Sequence, residues 1–236
     1  MKFNTLEEFG DYFYGTIEPM GYVRSVRKGD CGVGMTLESL FKIPENNSKL
    51  SDFLFADLKT FRNNNTSMLT LLTCDLRAWK IRARKVIETY GYLNEETNLL
   101  CLRTTTSSTP NNRGFYYTFD DEILQVKHEK NETEILRWKW DLLNQRFYNK
   151  LNSLIYVEAD VKVDEDGREH FYYPNFHTFH TENKTALLDY FKSSDPMYID
   201  IRCSLKYNKK GRIYLKNHGT AFRVPPSKLI KVFSTT

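Results

Sequence analysis

Residues 51–60 read SDFLFADLKT, a short and mostly apolar stretch that carries two aspartates and a lysine. Read as an extended strand over about 53–60, it alternates. Phe53, Phe55, Asp57 and Lys59 fall on one face, and Leu54, Ala56 and Leu58 fall on the other. The second set is a core face. The first begins with two phenylalanines and ends with an acid and a base two residues apart. Asp52 has the opposite parity, so it reaches the place where Asp57 and Lys59 point only from a turn or bend at the strand entrance.

Those three side chains suit one chemistry. Hydrolysing a phosphodiester requires a nucleophilic water and neutralisation of charge on the phosphorus centre and the leaving oxygen. Carboxylates holding Mg²⁺ supply most of this, because hard cations take oxygen ligands. A nearby lysine orients the water or stabilises negative charge. The spacing D-x4-D-x-K is weak as a bare pattern in a chain with 30 acidic and 34 basic residues. Its plain alternative is a solvent-facing ion pair at a strand end.

Composition narrows the setting. A chain of 236 residues, 40% hydrophobic, is long enough for one large domain or two closely packed lobes. No run approaches the eighteen apolar residues of a membrane span, and MKFNTLEEFG lacks the apolar stretch of a signal peptide. Cys31, Cys74, Cys101 and Cys203 are scattered, which reads as reduced thiols in a cytoplasmic protein. Net charge is only +4, but the basic residues cluster. Arg77, Lys80, Arg82, Arg84 and Lys85 form one group, Lys206, Lys209, Lys210, Arg212 and Lys216 a second, and Arg24, Arg27 and Lys28 a third. Such patches fit a polyanion, and solvated helix faces and hairpins explain them equally simply.

Along the chain, Thr5 to Glu8 forms a capping box for a helix burying Leu6, Phe9, Phe13 and Ile17. The glycine-rich RKGDCGVGMTLESLF enters a second helix. Strands are expected near 67–73, 98–106, 114–119, 122–128 and 134–140. A basic helix is expected over 77–89, closed by Gly91, and another around 141–151 before the strand SLIYVEADV. Asp166-Gly167 marks a hairpin turn, TENKTALLDYFK a helix, NKKG a turn, and Pro225-Pro226 the start of a last short helix. Helices interleaved with paired strands give a mixed α/β or α+β fold. His177 and His180 in FHTFH have a metal-like spacing, but no further ligand lies near in sequence and a polar loop explains them.

Separated segments, in order along the chain, carry a resemblance. In GDCGVGMTLESLF, Glu38 lies on the helix margin fourteen residues before Asp52; then come D-x4-D-x-K and the threonine- and leucine-rich MLTLLT at 68–73; near the C-terminus stands His218-Gly-Thr-Ala-Phe-Arg223. In this order the chain resembles the MvaI/BcnI restriction endonucleases of the MutH-like branch of the PD-(D/E)xK nucleases, over about 20–90 and 198–232. The resemblance implies a restriction-endonuclease-like core, a mixed sheet flanked by helices, in a two-lobed DNA clamp. A catalytic lobe would lie mainly in 1–165 and a recognition lobe mainly in 166–236. It further implies a type II restriction endonuclease that hydrolyses double-stranded DNA with Mg²⁺, as a monomer nicking each strand in turn, beside a cognate DNA methyltransferase that is not a physical partner.

Asp52 and Asp57 would hold the metal, Lys59 would be the catalytic lysine and Glu38 a supporting carboxylate. His218 and Arg223 would sit on the recognition side, and Lys216, Lys210, Arg212 and Arg84 would contact DNA. The chain departs from one member of the family at Lys216, where that member has a histidine, and at Asp57, where it has the glutamate that the pattern D-x4-(E/D)-x-K also allows. The rival readings are a MutH-like nicking enzyme that answers to a mismatch-repair partner, and a non-catalytic DNA-binding protein with a structural acidic strand.

Overall fold

The computed structural model describes residues 3–43, 51–53, 55–63, 67–75, 77–181, 184, 186–193 and 197–235. Its first half runs α1 (Leu6–Tyr12), β1 (Val23–Arg24), α2 (Gly32–Leu40), β2 (Asp57–Arg62), β3 (Leu69–Thr73), α3 (Ala83–Tyr90), β4 (Tyr92–Leu93), β5 (Leu100–Thr106), β6 (Phe115–Phe119), β7 (Ile123–His128) and β8 (Thr133–Lys139). The second half runs α4 (Trp140–Leu151), β9 (Ser153–Val163), β10 (Glu169–Tyr172), β11 (Phe176–His180), α5 (Ala186–Lys192), β12 (Tyr198–Tyr207), β13 (Ile213–Asn217), β14 (Ala221–Val224), α6 (Leu229–Val232) and β15 (Ser234–Thr235). The mixed α/β class expected from the sequence is what forms.

These elements gather into two compact units. One comprises residues 1–67, 148–184 and 229–236; the other comprises 68–147 and 185–228. A single boundary near residue 165 does not describe this. Each unit pairs strands that are distant in sequence, so the chain changes unit at 67/68, 147/148, 184/185 and 228/229.

In the first unit β9 is the central strand. It is antiparallel to β10 and β11 and parallel to β2, from Asp57↔Leu154 to Arg62↔Ala159. The parity of β2 then decides what it buries. Leu58 joins Ile155, Val157 and Ala159 in a core with Phe9, Phe13, Val33, Leu37 and Phe41, while Asp57 and Lys59 project from the other face. Thr5 caps α1 by accepting from Glu8 N at 3.2 Å, and Glu8 reaches back to Asn4 N at 2.8 Å. Phe9, Phe13 and Ile17 are buried as expected, but Leu6, the first residue of α1, is 41% exposed.

In the second unit the sheet order is β3-β14-β12-β5-β4, with β13 also pairing β12, and β6-β7-β8 form a separate meander. Antiparallel register sorts this sheet into two faces. Ile199, Ile201, Cys203 and Leu205 of β12 share an apolar face with Leu102 of β5 and Phe222 of β14. Asp200, Arg202, Ser204 and Lys206 share the other face with Arg103, Tyr214, Lys216 and Arg223.

Two expectations are corrected. The catalytic-looking strand begins at Asp57 and not near residue 53, because Phe53 N donates to Ala56 O at 2.9 Å and closes a turn. Phe53 is buried among Phe3, Phe9 and Phe41 from that turn, so its hydrophobicity serves the core without strand geometry. Leu54 lies outside the described residues. The basic helix is Ala83–Tyr90, not 77–89. Arg77 has φ 49°, Trp79 bridges to Leu136, and Lys80 N donates to Ile135 O at 3.0 Å, so the upstream residues serve as an irregular edge to β8. The helix expected over TENKTALLDYFK is α5, shorter at its start; residues 182, 183 and 185 lie outside the described residues.

The glycine-rich turn leads into α2 through a close backbone approach. A Cβ on Gly32 would lie 2.5 Å from Arg27 O and 2.8 Å from Ser25 Oγ. Both neighbours are fixed, since Ser25 Oγ donates to Arg27 O at 2.6 Å and Thr36 Oγ1 joins Val26 N to Gly32 O. Gly32→Ala is therefore expected to destabilise the protein by about 1–3 kcal/mol through overpacking, measured by urea denaturation. An unchanged midpoint would show that the turn yields freely.

Candidate active site

Asp57 opens β2 and is 0% exposed, which is unusual for a carboxylate. Its charge is met from two directions. Lys59, two residues on and on the same face, donates to Oδ2. Lys150, in the last turn of α4, brings Nζ to 3.1 Å from Oδ1. This second contact is an ion pair without hydrogen-bond alignment, and Oδ1 is left buried with no aligned donor.

Asp52 arrives as its parity demanded, from the turn at the strand entrance. Its Oδ2 accepts from Leu58 N at 3.0 Å, which fixes the carboxylate beside the first residues of β2. Burial, and then the negative charge of Asp57, raise its carboxyl above the usual aspartate range, while Lys59 and Lys150 oppose the shift. Asp52, Asp57 and Lys59 are therefore brought together, and Lys150 joins them. Lys150 was missed in the sequence because it stands 93 residues beyond Asp57 on a different element, with no motif around it.

Glu38 is placed differently. It stands on α2, which packs against the Leu58 and Thr60 face of β2. Its Oε1 is 3.9 Å from the position a Cβ on Gly34 would take, and that position is also 3.1 Å from Thr60 Oγ1. Glu38 thus approaches β2 from the face opposite Asp57 and Lys59.

The donor chemistry fits a hard divalent cation. Carboxylate oxygens are what such ions take, and Asp57 Oδ1 is an enclosed oxygen lacking an aligned donor. Among the described residues no group of three or more His, Cys, Asp or Glu gathers around one point. Two carboxylates with water and phosphate filling the other positions is the usual Mg²⁺ arrangement. His177 and His180 do not form such a site: they differ by three residues along β11, so they point to opposite faces of the strand.

The second unit holds the other sequence-singled residues. Lys210 and Arg212 lie at the exposed tip of the β12–β13 hairpin, where Asn208 Oδ1 accepts from both their backbone amides. Lys216 and His218 are exposed on or beside the polar sheet face. Burial first, and then the charges of Lys216, Arg103, Lys206 and Arg202, hold the His218 imidazole below the usual histidine range, so it is neutral at pH 7. Arg84 is exposed on α3 and pairs with Glu88 at 3.0 Å.

Arg223 is not presented freely. Its Nη1 donates to Asp200 Oδ2 at 2.7 Å and its Nη2 to Met68 O at 2.6 Å. Its Nε and Asp200 Oδ1 remain buried without partners.

A feature the sequence did not reveal is how the His218-Gly219 turn is held. Asp75 Oδ1 accepts from Thr220 N at 2.8 Å and Thr220 Oγ1 at 2.6 Å, and its Oδ2 accepts from Trp79 Nε1 at 3.1 Å and from Asn217 Nδ2. Arg202 donates to the carbonyls of His218 and Gly219, each at 3.2 Å. Gly219 has φ +79°, and a Cβ there would sit 2.2 Å from Thr73 Cγ2. The turn is clamped on both sides and its imidazole is left outside.

A buried carboxylate, a second carboxylate at its edge and a strand lysine thus stand together in a mixed α/β unit. A model described as the MvaI/BcnI restriction endonuclease family matches residues 14–233, and the chain belongs to this family. It is a type II restriction endonuclease, a site-specific deoxyribonuclease, and enzymes of this family work with divalent metal ions.

Among solved structures the chain is similar to a restriction endonuclease MvaI–cognate DNA substrate complex, with a TM-score of 0.80 and 23% identity over 97% of this chain and 96% of that one. It is also similar to restriction endonuclease MvaI in the absence of DNA, with a TM-score of 0.53 and 18% identity over 100% and 99% of the two chains. No curated protein matches it. No helix among the described residues is long and apolar enough to cross a membrane.

Asp75→Ala removes the acceptor of four hydrogen bonds, two of them from Thr220. It is expected to cost about 2–4 kcal/mol in chemical denaturation, since bonds to charged groups contribute about 1.5–3 kcal/mol each and some donors will find water. A loss below about 0.5 kcal/mol would show that the clamp is redundant.

Proposed function

We propose that the enzyme cuts double-stranded DNA by Mg²⁺-dependent hydrolysis at the Asp52, Asp57 and Lys59 site, without a covalent intermediate, acting as a monomer that nicks each strand in turn. The observation that carries this reading is the fully buried Asp57, with an oxygen free of aligned donors, beside Asp52 and Lys59. A structural ion pair at a strand end has no need of complete burial or of a second carboxylate.

Mg²⁺, held by Asp52 and Asp57, would supply charge neutralisation and a more acidic water. The remaining work belongs to the chain. The backbone amide of Leu58 holds Asp52 in place. Lys59 holds Asp57 in orientation through its hydrogen bond to Oδ2, and its ammonium then orients the attacking water or meets negative charge developing on the phosphate. Glu38 supports the site from the other face of β2, without direct ligation.

The second unit reads and holds DNA. The hairpin residues Lys210, Arg212 and Lys216 meet phosphates, as does Arg84 on α3, while His218 probes base edges from its clamped turn. Arg223, whose side chain is 25% exposed and paired with Asp200, would contact a base from the same face. The enzyme works in the cytoplasm, beside a methyltransferase that protects the same sequence.

One plasmid experiment tests the chemistry. With a supercoiled substrate carrying one site and Mg²⁺, the wild type should give open circle before linear DNA. Asp57→Ala should give neither, yet still retard cognate DNA in a gel, because it loses a ligand and not a DNA contact. Cleavage by Asp57→Ala at near the wild-type rate would remove the site assignment, and linear product without open circle would remove the monomer reading.

A separate measurement addresses recognition. Arg223→Lys keeps a cation opposite Asp200 but loses the planar fork. It should weaken cognate binding by about 1–3 kcal/mol more than binding to random DNA; equal losses would assign Arg223 to the fold alone.

A further inference from the structure

We infer that Lys150 is a positioning residue of the hydrolytic site: it neutralises Asp57 while no divalent ion is bound, yields Oδ1 when one binds, and then turns its ammonium to the DNA phosphate. This rests on the reading of Asp57 as a metal ligand.

Three observations support it. Asp57 has no solvent to stabilise its charge, and each of its oxygens faces one ammonium: Oδ2 faces Lys59, and Oδ1 faces Lys150 at 3.1 Å. The two contacts differ in kind. Lys59 makes a hydrogen bond, whereas the Lys150 contact lacks alignment and leaves Oδ1 without a true donor. An oxygen held only by charge can exchange one cation for another without breaking a hydrogen bond. Lys150 also acts electrostatically on Asp52, so its ammonium lies within the field of both carboxylates.

The charge count points the same way. Asp52 and Asp57 balance Lys59 and Lys150, so the site is neutral as built. Binding a divalent ion gives the site an excess of two positive charges, matched to an anionic phosphodiester, and places Lys150 beside a like charge. Lysine suits this exchange: its stem is flexible, its head is a point charge, and its side chain is 20% exposed. Leu151, its neighbour, is fully buried, and the C-terminal end of α4 favours a cation at this position. The backbone therefore stays in place while the side chain moves.

The test uses the full-length protein without DNA and Mn²⁺ as the probe, with free ion measured by electron paramagnetic resonance. Lys150→Met removes the competing cation and should tighten Mn²⁺ binding by about tenfold. Single-turnover cleavage in saturating Mg²⁺ should fall at least about tenfold, because the phosphate loses a cation. Lys150→Arg should bind Mn²⁺ as the wild type does.

Unchanged or weaker Mn²⁺ binding by folded Lys150→Met overturns the inference. If that variant does not fold, Lys150→Gln is read in the same way, and failure of both to fold also overturns it, by assigning Lys150 to stability. Asp57→Asn separates this from the underlying reading: if it binds Mn²⁺ like the wild type, Asp57 is not a ligand, whatever Lys150 does.

Discussion

The interaction on which the first unit depends is the burial of the Asp57 carboxylate between two lysines. Removing an ionised carboxylate from water costs several kcal/mol even after relaxation, and only close cations and hydrogen bonds offset it. That requirement fixes much else. Lys59 must share its face, so residues 57–59 must be a regular strand. Leu58 must then point into the core, which holds β2 against β9 and places α2 on the far side. The last turn of α4 must bring Lys150 to the other oxygen. The entrance to the strand cannot continue straight, because Asp52 has the wrong parity, and the Phe53–Ala56 turn provides the bend. A site of four charged residues thus dictates a strand start, a strand face, a helix end and a turn.

The polar sheet face of the second unit is organised on a different principle. The polar face of the β12 sheet gathers arginines and lysines that would repel one another if they were free to choose. The protein manages this by tying some of them inward: Arg202 to two carbonyls, and Arg223 to Asp200 and Met68. The untied ones, Lys206, Lys216 and the hairpin tip, face solvent. Burial, and then the same positive surroundings, hold the His218 imidazole below the usual histidine range, which favours the neutral ring, with one nitrogen donating and the other accepting. A neutral imidazole on a rigid turn presents a directed donor and acceptor, where a further cation would present only charge.

The local part of this design was legible in the sequence, and the long-range part was not. Alternation placed Asp57 with Lys59 and opposed Leu58 to them, and it required Asp52 to come from a bend. Both are consequences of a period of two within a few residues. The same alternation misled at Phe53, since a phenylalanine buried from a turn and one buried from a strand look identical in a sequence. The helix expected to start at Arg77 failed for a related reason. Charge and apolar spacing favoured a helix, but Trp79 found a better partner in Leu136, some fifty-seven residues away, and tertiary pairing overrode local preference. Lys150 and Asp75 could not be seen at all. Nothing near either one distinguishes it from other charged residues, and its partners are brought near only by the fold.

Asp75 and Asp57 differ in how fully the fold satisfies their oxygens. Asp75 has both oxygens occupied by four donors, from Trp79, Asn217 and Thr220, and its removal should be felt chiefly as lost stability. Asp57 is more deeply buried yet less fully satisfied, with one oxygen held by charge alone. Unsatisfied buried oxygens are costly and therefore rare, so the fold has kept this one against its own stability. The shorter side chain sharpens the point. An aspartate at the start of a strand has one methylene less than glutamate with which to reach solvent or a distant donor, so Oδ1 stays where the backbone puts it. A fixed, dry oxygen is a poor structural element and a good place for a cation to bind.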